Sequence, residues 1–211
     1  MVEFYHSPPI DTRSWNSFPV DHTVDPLEYR PELREILIPR NMIDMRVGML
    51  AREISKNYVD SEKPLAICLL KGAITFFDSL TSSDGMFIEI DKTYWNVSSY
   101  EGTESTGEVR LDDKFNPEKV TGRSVILFDD IADTRRTLKR VSEELRSHKP
   151  KSLELAVLLD KPDRRVEEIE VDYCGFTILN RFVVGYGMDY QERFRDLNHI
   201  GVLKESVYQD K

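Results

Sequence analysis

The feature that most constrains this chain is a repeated pairing: a short, nearly unbroken apolar run that stops abruptly at charged residues. Leu65-Ala66-Ile67-Cys68-Leu69-Leu70 stops at Lys71-Gly72, Ser124-Val125-Ile126-Leu127-Phe128 stops at Asp129-Asp130, and Leu153–Leu159 stops at Asp160-Lys161. A half-exposed strand alternates apolar and polar residues, so runs without alternation read as strands buried on both faces. Stretches of helical period lie between them. Val47, Leu50, Ala51, Ile54 and Tyr58 predict a helix over 43–58; Phe76, Phe77 and Leu80 predict a short one; Leu138, Val141 and Leu145 predict one over 135–147, closed by Pro150. Met86–Ile90, Tyr94–Val97, Val171–Cys174 and Phe182–Val184 read as further strands. This alternation predicts an α/β domain with a mostly parallel central sheet flanked by helices. Ligands of such sheets bind beyond the carboxyl ends of the strands. The polar residues that end each run are therefore the candidates for function.

Composition narrows the choice of partner. The 211 residues carry 29 Lys and Arg against 38 Asp and Glu, a net charge of −9, with 40% hydrophobic residues. That is enough apolar material for one large domain, and the acidic balance disfavours nucleic acid as a partner. A small anionic ligand is not disfavoured, because it meets only local charge. No apolar run approaches the 18 or so residues of a membrane span, and the start of the chain has no basic segment followed by an apolar one, so neither a membrane segment nor a secretory signal is expected. Cys68 and Cys174 sit in apolar surroundings and read as buried thiols of a reducing compartment, which predicts a cytoplasmic protein. The four histidines have no ligand spacing for zinc. Six of the ten prolines fall within the first 39 residues. We therefore divide the chain into an irregular N-terminal arm over 1–35 and a domain over 36–211.

The strongest local signal is Asp129-Asp130-Ile131-Ala132-Asp133-Thr134-Arg135-Arg136-Thr137, where a strand delivers two adjacent acids into a turn and a helix start. Backbone N–H groups at a helix N-terminus, with the hydroxyls of Thr134 and Thr137, suit a phosphate. Two acids just before them suit vicinal hydroxyls or a divalent cation. Asp133 alone reads equally well as a helix N-cap; the complete string does not reduce to that. Residues 99–108 are polar, aperiodic and long enough for a lid. Gly185-Tyr186-Gly187 lacks the third glycine and following helix of a dinucleotide fingerprint, and no GxxxxGK[ST] sequence is present.

The string at 129–137 resembles the ribose-phosphate motif of the type I phosphoribosyltransferases. Leu69-Leu70-Lys71-Gly72 is similar to the pyrophosphate loop of that family, and Ser99-Tyr100 with Ser105-Thr106-Gly107 to the flexible lid of its 6-oxopurine branch. Lys161, Asp172–Phe176, Arg181–Tyr190 and Phe194–His199 follow that branch in order, so that the resemblance spans about 36–206. It implies the type I fold, with a small hood formed by the N- and C-terminal segments. It also implies an enzyme of purine salvage that moves the phosphoribosyl group of phosphoribosyl pyrophosphate to hypoxanthine or guanine, using Mg²⁺, as a homodimer or homotetramer.

The roles implied by the resemblance are these. Asp129 and Asp130 take the ribose hydroxyls, directly or through Mg²⁺, and Asp189 coordinates a second Mg²⁺. Asp133 is the general base or acid at the imidazole-ring nitrogen of the purine. Thr134, Arg135, Arg136 and Thr137 bind the 5′-phosphate. Leu70, Lys71 and Gly72 bind pyrophosphate, with the peptide before the lysine in cis. Lys161 donates to the 6-oxo group, Phe182 stacks on the purine, Val183 meets its edge through backbone groups, and Met188 lines the opposite wall. Arg195 meets the pyrophosphate, while Ser99 and Tyr100 close over the reacting centre.

Three positions depart from the family pattern. Arg135 stands where glycine is usual, in a turn where the backbone must approach an anion. The residue either pairs with the phosphate through its guanidinium, fills the pocket, or distorts the amide cradle. Asp129 stands where Glu is frequent, and Gly72-Ala73-Ile74-Thr75 departs from the usual Gly-Gly or Gly-Ser start. Arg135 motivates the rival reading: a catalytically weak or inactive paralogue that binds purine nucleotide for regulation or assembly. A transferase acting on xanthine or a pyrimidine is the third reading; Lys161 and Phe182-Val183 suit a 6-oxopurine, which speaks against a pyrimidine and leaves xanthine open.

Overall fold

The computed structural model describes residues 6–20, 29–99, 109–111 and 115–209. The elements, in chain order, are β1 (Ile10–Asp11), β2 (Leu33–Ile38), α1 (Arg40–Tyr58), β3 (Leu65–Leu70), α2 (Ile74–Thr81), β4 (Asp91–Ser99), β5 (Val109–Leu111), β6 (Ser124–Ala132), α3 (Arg136–Ser147), β7 (Ser152–Asp160), β8 (Tyr173–Thr177), β9 (Val183–Val184), β10 (Ile200–Leu203) and α4 (Glu205–Tyr208).

The three apolar runs become β3, β6 and β7, side by side in a seven-stranded sheet of order β1-β8-β7-β6-β3-β4-β5. Every pairing is parallel except β4 with β5. Their apolar content is explained by cover on both faces. Ala66 and Cys68 of β3, with Ile126 and Phe128 of β6, pack under α1 and α2 against Ile43, Leu50, Ile54, Phe76 and Phe77. The intervening residues Ile67, Leu69, Val125 and Leu127 face α3 through Leu138, Val141 and Leu145. This is the period-two pleat with a hydrophobic layer on each side. A second, three-stranded sheet, β2-β10-β9, stands apart as the hood. It joins strands from the two ends of the chain, with Leu33, Val184, Phe194, Leu197 and Leu203 as its own core.

Several boundaries differ from the sequence reading. Helix α1 starts at Arg40, directly after Pro39, three residues earlier than the periodicity suggests. Met86–Ile90 is not a strand: β3 begins only after Pro64, so no neighbouring ladder exists before Asp91, whose N–H bonds to the Pro64 carbonyl at 3.0 Å. The segment predicted at Val171–Cys174 is the strand Tyr173–Thr177. In the N-terminal region, Ile10 and Asp11 pair with Phe176 and Thr177 at the sheet edge, and Phe18 bridges to Ile36. Arg46 of α1, 1% exposed, ties that region down. Its guanidinium donates to the carbonyls of Pro8, Cys174 and Gly175 and to Ser7 Oγ.

Strand order reverses between β3 and β6: β4 follows on one side of β3, and β7 and β8 on the far side of β6. A crevice opens at the carboxyl ends where such a reversal occurs.

Candidate active site

Strand β6 runs on to Ala132 because β7 lies beside it as far as Asp160. Asp129 and Asp130 thus belong to the strand itself. The Asp130 N–H bonds to Asp129 Oδ1 at 3.0 Å, and the Ile131 N–H to Asp130 Oδ1 at 2.9 Å. No ion pair reaches either carboxyl among the described residues. Burial raises the pKa of Asp129 well above the ordinary carboxylate range, and the adjacent Asp130 raises it further. Burial also raises Asp130. Burial thus favours a proton on this pair, and the floor of the crevice presents carboxyl oxygens with no ion-pair partner among the described residues.

Beyond β6 the chain turns through Asp133, Thr134 and Arg135 into α3. No side chain caps this helix, whose N-cap residue is Arg135 itself, and its first turn carries no acid. Its first N–H groups are thus open to an anion. Asp133 accepts from Lys161 Nζ at 2.9 Å and from Arg164 Nε at 2.9 Å. Burial pushes the Asp133 pKa up, but these two cations outweigh it and hold the carboxyl below its ordinary value. Lys161 is 6% exposed and is fixed by its own N–H on the Ala132 carbonyl.

At the end of β3 the Leu70–Lys71 peptide is cis. Gly72 is required by crowding: a methyl group there would stand 2.7 Å from the Asp130 carboxyl carbon and closer still to Oδ2. Gly187, at φ +98°, closes the same corner; a side chain on it would overlap the Gly72 carbonyl. Arg195 Nη1 donates to the Gly187 carbonyl at 2.8 Å, and its Nη2 pairs with Asp189 Oδ1 at 2.8 Å. The second oxygen of Asp189 accepts from the Glu192 N–H at 2.8 Å.

One cavity of about 770 Å³ joins these parts. It is lined by Leu70, Gly72, Asp129, Asp130, Asp133, Thr134, Arg135, Thr137, Lys161, Phe182, Val183, Met188 and Asp189, which covers most of the residues singled out from sequence. The remaining ones lie elsewhere. The Lys71 side chain is solvent-facing and reaches Glu192 at 3.4 Å. Arg136 is exposed on α3 and does not line the cavity. Arg195 stands behind the cavity wall through its bonds to Gly187 and Asp189. Arg135 departs from both expected orientations: its guanidinium pairs with Asp160 at 3.0 Å and also bonds to the Ile169 carbonyl. Asp189 does not gather with Asp129 and Asp130, and among the described residues no three His, Cys, Asp or Glu side chains form a metal-holding group. Ser99 ends β4 opposite Val109. Tyr100, Ser105, Thr106 and Gly107 lie outside the described residues.

Sequence reasoning missed Arg164, Asn180, Arg181, Glu205, Tyr208 and Gln209, which also line the cavity. Tyr208 stacks on Phe182 with ring centroids 4.8 Å apart at 27°, and Tyr190 meets the Phe182 edge at 5.4 Å. No local signal marks α4 as part of a site; it arrives through the hood strand β10. Arg164 follows Lys161 by three residues in a turn, and that spacing was the available hint.

The fold and site thus define a class: an α/β protein with an anion-accepting helix N-terminus, an acidic floor and an aromatic-walled pocket at one switch point. Comparison with known proteins makes that class specific. The family described as Phosphoribosyl transferase domain matches residues 39–191. A hypoxanthine-guanine phosphoribosyltransferase of Streptococcus pneumoniae is 39% identical over 178 residues, covering 84% of this chain and 97% of its own. The bifunctional protein TilS/HprT of Listeria monocytogenes is 40% identical over 180 residues; the match takes in 85% of this chain and about 27% of that longer protein. The crystal structure of a hypoxanthine phosphoribosyltransferase from Staphylococcus aureus superposes with a TM-score of 0.78 at 37% identity, covering 88% of this chain and 99% of the other. The chain belongs to the phosphoribosyltransferase family and has its type I fold.

Proposed function

We propose that this protein transfers the phosphoribosyl group of phosphoribosyl pyrophosphate to hypoxanthine or guanine, giving IMP or GMP and pyrophosphate. The observation that carries the reading is the position of Asp133. It is held by Lys161 and Arg164 and lines the same cavity as Thr134, Thr137 and Phe182.

In this reaction the bond from C1′ of the ribose to the pyrophosphate oxygen breaks, and a bond from C1′ to the imidazole nitrogen of the purine forms. The proton on that nitrogen goes to Asp133. Its lowered pKa keeps it ionised near neutral pH, the form that accepts a proton. Lys161, already aimed across the pocket, turns its ammonium from Asp133 to the 6-oxo group as the base enters. Phe182 supplies the stacking face, kept in place by Tyr208 behind it and Tyr190 at its edge. Val183 offers backbone groups to the purine edge, and Met188 forms the facing wall. Thr134, Thr137 and the first amides of α3 take the 5′-phosphate. Leu70, Lys71 and Gly72 take the pyrophosphate, with Lys71 released from Glu192. Ser99 and Tyr100 are assigned to closure over the centre, which excludes water from a sugar cation.

Mg²⁺ fits the donor set. Asp129 and Asp130 offer hard oxygen ligands without a protein cation paired to them, and such a metal is commonly held by one or two carboxylates with substrate oxygens and water completing its shell. When bound, it neutralises pyrophosphate charge. Asp189, with both oxygens already in hydrogen bonds, is assigned to a second ion through its remaining lone pairs.

The buried free thiols of Cys68 and Cys174 suit a reducing compartment, the cytoplasm in this reading; no helix among the described residues is long and apolar enough to cross a membrane. A homodimer or homotetramer is the assembly proposed, with Met45 and Met49 exposed one turn apart on α1 as apolar surface for it.

The test is an absorbance assay with phosphoribosyl pyrophosphate, Mg²⁺ and either base. Asp133→Asn is expected to lower kcat by about 10²–10⁴-fold, the usual contribution of a positioned proton acceptor. Wild-type turnover no higher than that of the variant overturns the proposal.

A further inference from the structure

We propose that Arg135 is a positioning residue, whose buried ion pair with Asp160 holds the phosphate-side turn in a left-handed conformation that glycine would adopt unaided. The inference rests on the reading that residues 133–137 receive the 5′-phosphate.

Arg135 has φ 65° and ψ 4°. That region is disfavoured for any residue with a Cβ, because the side chain crowds the following carbonyl. Something must therefore hold the turn. The guanidinium is buried, and Nη2 donates to Asp160 Oδ1 at 3.0 Å while Nη1 donates to the Ile169 carbonyl. Asp160 is itself 5% exposed, and its other oxygen accepts from Arg165 Nη2 at 2.6 Å. One buried carboxylate thus clamps the turn after β6 to the turn after β7. Moving residue 135 into the right-handed region would redirect its Cβ and pull the guanidinium off Asp160, stranding that buried cation and leaving Asp160 with Arg165 alone.

The clamp also reaches the base side of the pocket. Asp160 is followed directly by Lys161, which bonds to the Ala132 carbonyl through its N–H and to Asp133 through Nζ. The phosphate turn and the lysine assigned to the purine are therefore held through a single pair of adjacent residues. What Arg135 gives the site is the direction of the α3 amides, not a charge on the phosphate.

A purely space-filling arginine makes a different forecast from a positioning one. Loss of packing would be felt equally by glycine and alanine replacements, whereas loss of a conformational clamp is relieved by glycine alone. The experiment compares Arg135→Ala, Arg135→Gly and Arg135→Lys in the full chain. Initial rates give KM for phosphoribosyl pyrophosphate and kcat separately, and amide hydrogen exchange over 132–141 is followed without substrate. Arg135→Ala is expected to raise that KM about tenfold, the size of an unsupported left-handed residue, with kcat little changed. Its amides at 134–138 exchange faster by a similar factor. Arg135→Lys recovers most of both effects, and Arg135→Gly keeps KM near the wild-type value. Alanine and glycine variants with equal KM, or unchanged exchange in Arg135→Ala, overturn the proposal. A wild-type protein without turnover overturns the proposed function instead, and the exchange measurement still decides the role of Arg135.

Discussion

Replacing Gly72 by alanine tests how closely the phosphate-side machinery is packed around Asp130. An added methyl stands 2.7 Å from the Asp130 carboxyl carbon, where ordinary contact begins near 3.4 Å, and the clash with Oδ2 is worse. The loop has little room to back away, because the Gly187 backbone lies so near that a Cβ built on it would overlap the Gly72 carbonyl oxygen. The carboxylate must therefore yield, by about 0.7 Å at its carbon and about 1.5 Å at Oδ2 for an ordinary contact to be restored. Displacements of that size at a reacting centre cost about 10²-fold. We expect kcat/KM for phosphoribosyl pyrophosphate to fall by that order, measured by absorbance at saturating base and Mg²⁺. The melting temperature should change little, since Asp130 borders an open cavity into which it can turn. A variant that keeps kcat/KM within about threefold of wild type would refute the argument, because Asp130 would then not be working from its observed position.

Three other perturbations have expected outcomes. Arg46→Ala removes a fully buried guanidinium from four acceptors and should destabilise the fold by about 3–5 kcal/mol in urea titration. Gly48→Ala adds a methyl within α1 whose nearest neighbour is Ser83 Oγ at 3.6 Å, so the helix should gain about 0.5–1 kcal/mol and melt at a higher temperature. Asp133 has a depressed pKa in the fold, so it contributes stability above the ordinary carboxylate value of 3.8 that is lost as pH falls through the folded value. The difference in melting temperature between wild type and Asp133→Asn should accordingly be largest near neutral pH and close below about pH 4.

The central sheet was legible because burial on both faces leaves a mark that no other local structure shares at that length. β3, β6 and β7 are the strands where it is clearest, and all three were readable within a few residues. Of the hood strands, β9 was read at Phe182–Val184, whereas β2 and β10 were not. β10 is the four-residue segment Ile200–Leu203 and β2 mixes Arg34 and Glu35 with its apolar residues, so their strand character comes from pairing, β2 with β10 and β10 also with β9. Met86–Ile90 failed in the opposite direction. Its alternation is real, since Met86, Ile88 and Ile90 do pack on the core, but a ladder needs a neighbour and Pro64 ends the one it would have had. Side-chain pattern reports burial; hydrogen-bond partners are supplied by topology.

The same division governs the site. The acids of 129–133 could be placed from sequence because they ride on the strand that carries them. Their ion pairing could not, because it links residues 28 and 31 positions apart across two strand ends. Net charge was equally uninformative: an excess of nine acids coexists with a pocket where Lys161 and Arg164 converge on one carboxylate. Arg135 makes the point most sharply. Its charge beside a phosphate turn invited either a phosphate contact or an obstruction, and both readings assumed the side chain points where the backbone leads. A left-handed residue sends its Cβ elsewhere, here toward a buried aspartate from the next strand end. The residue that looked like the strongest objection to an intact phosphate site is the one whose side chain leaves the site free.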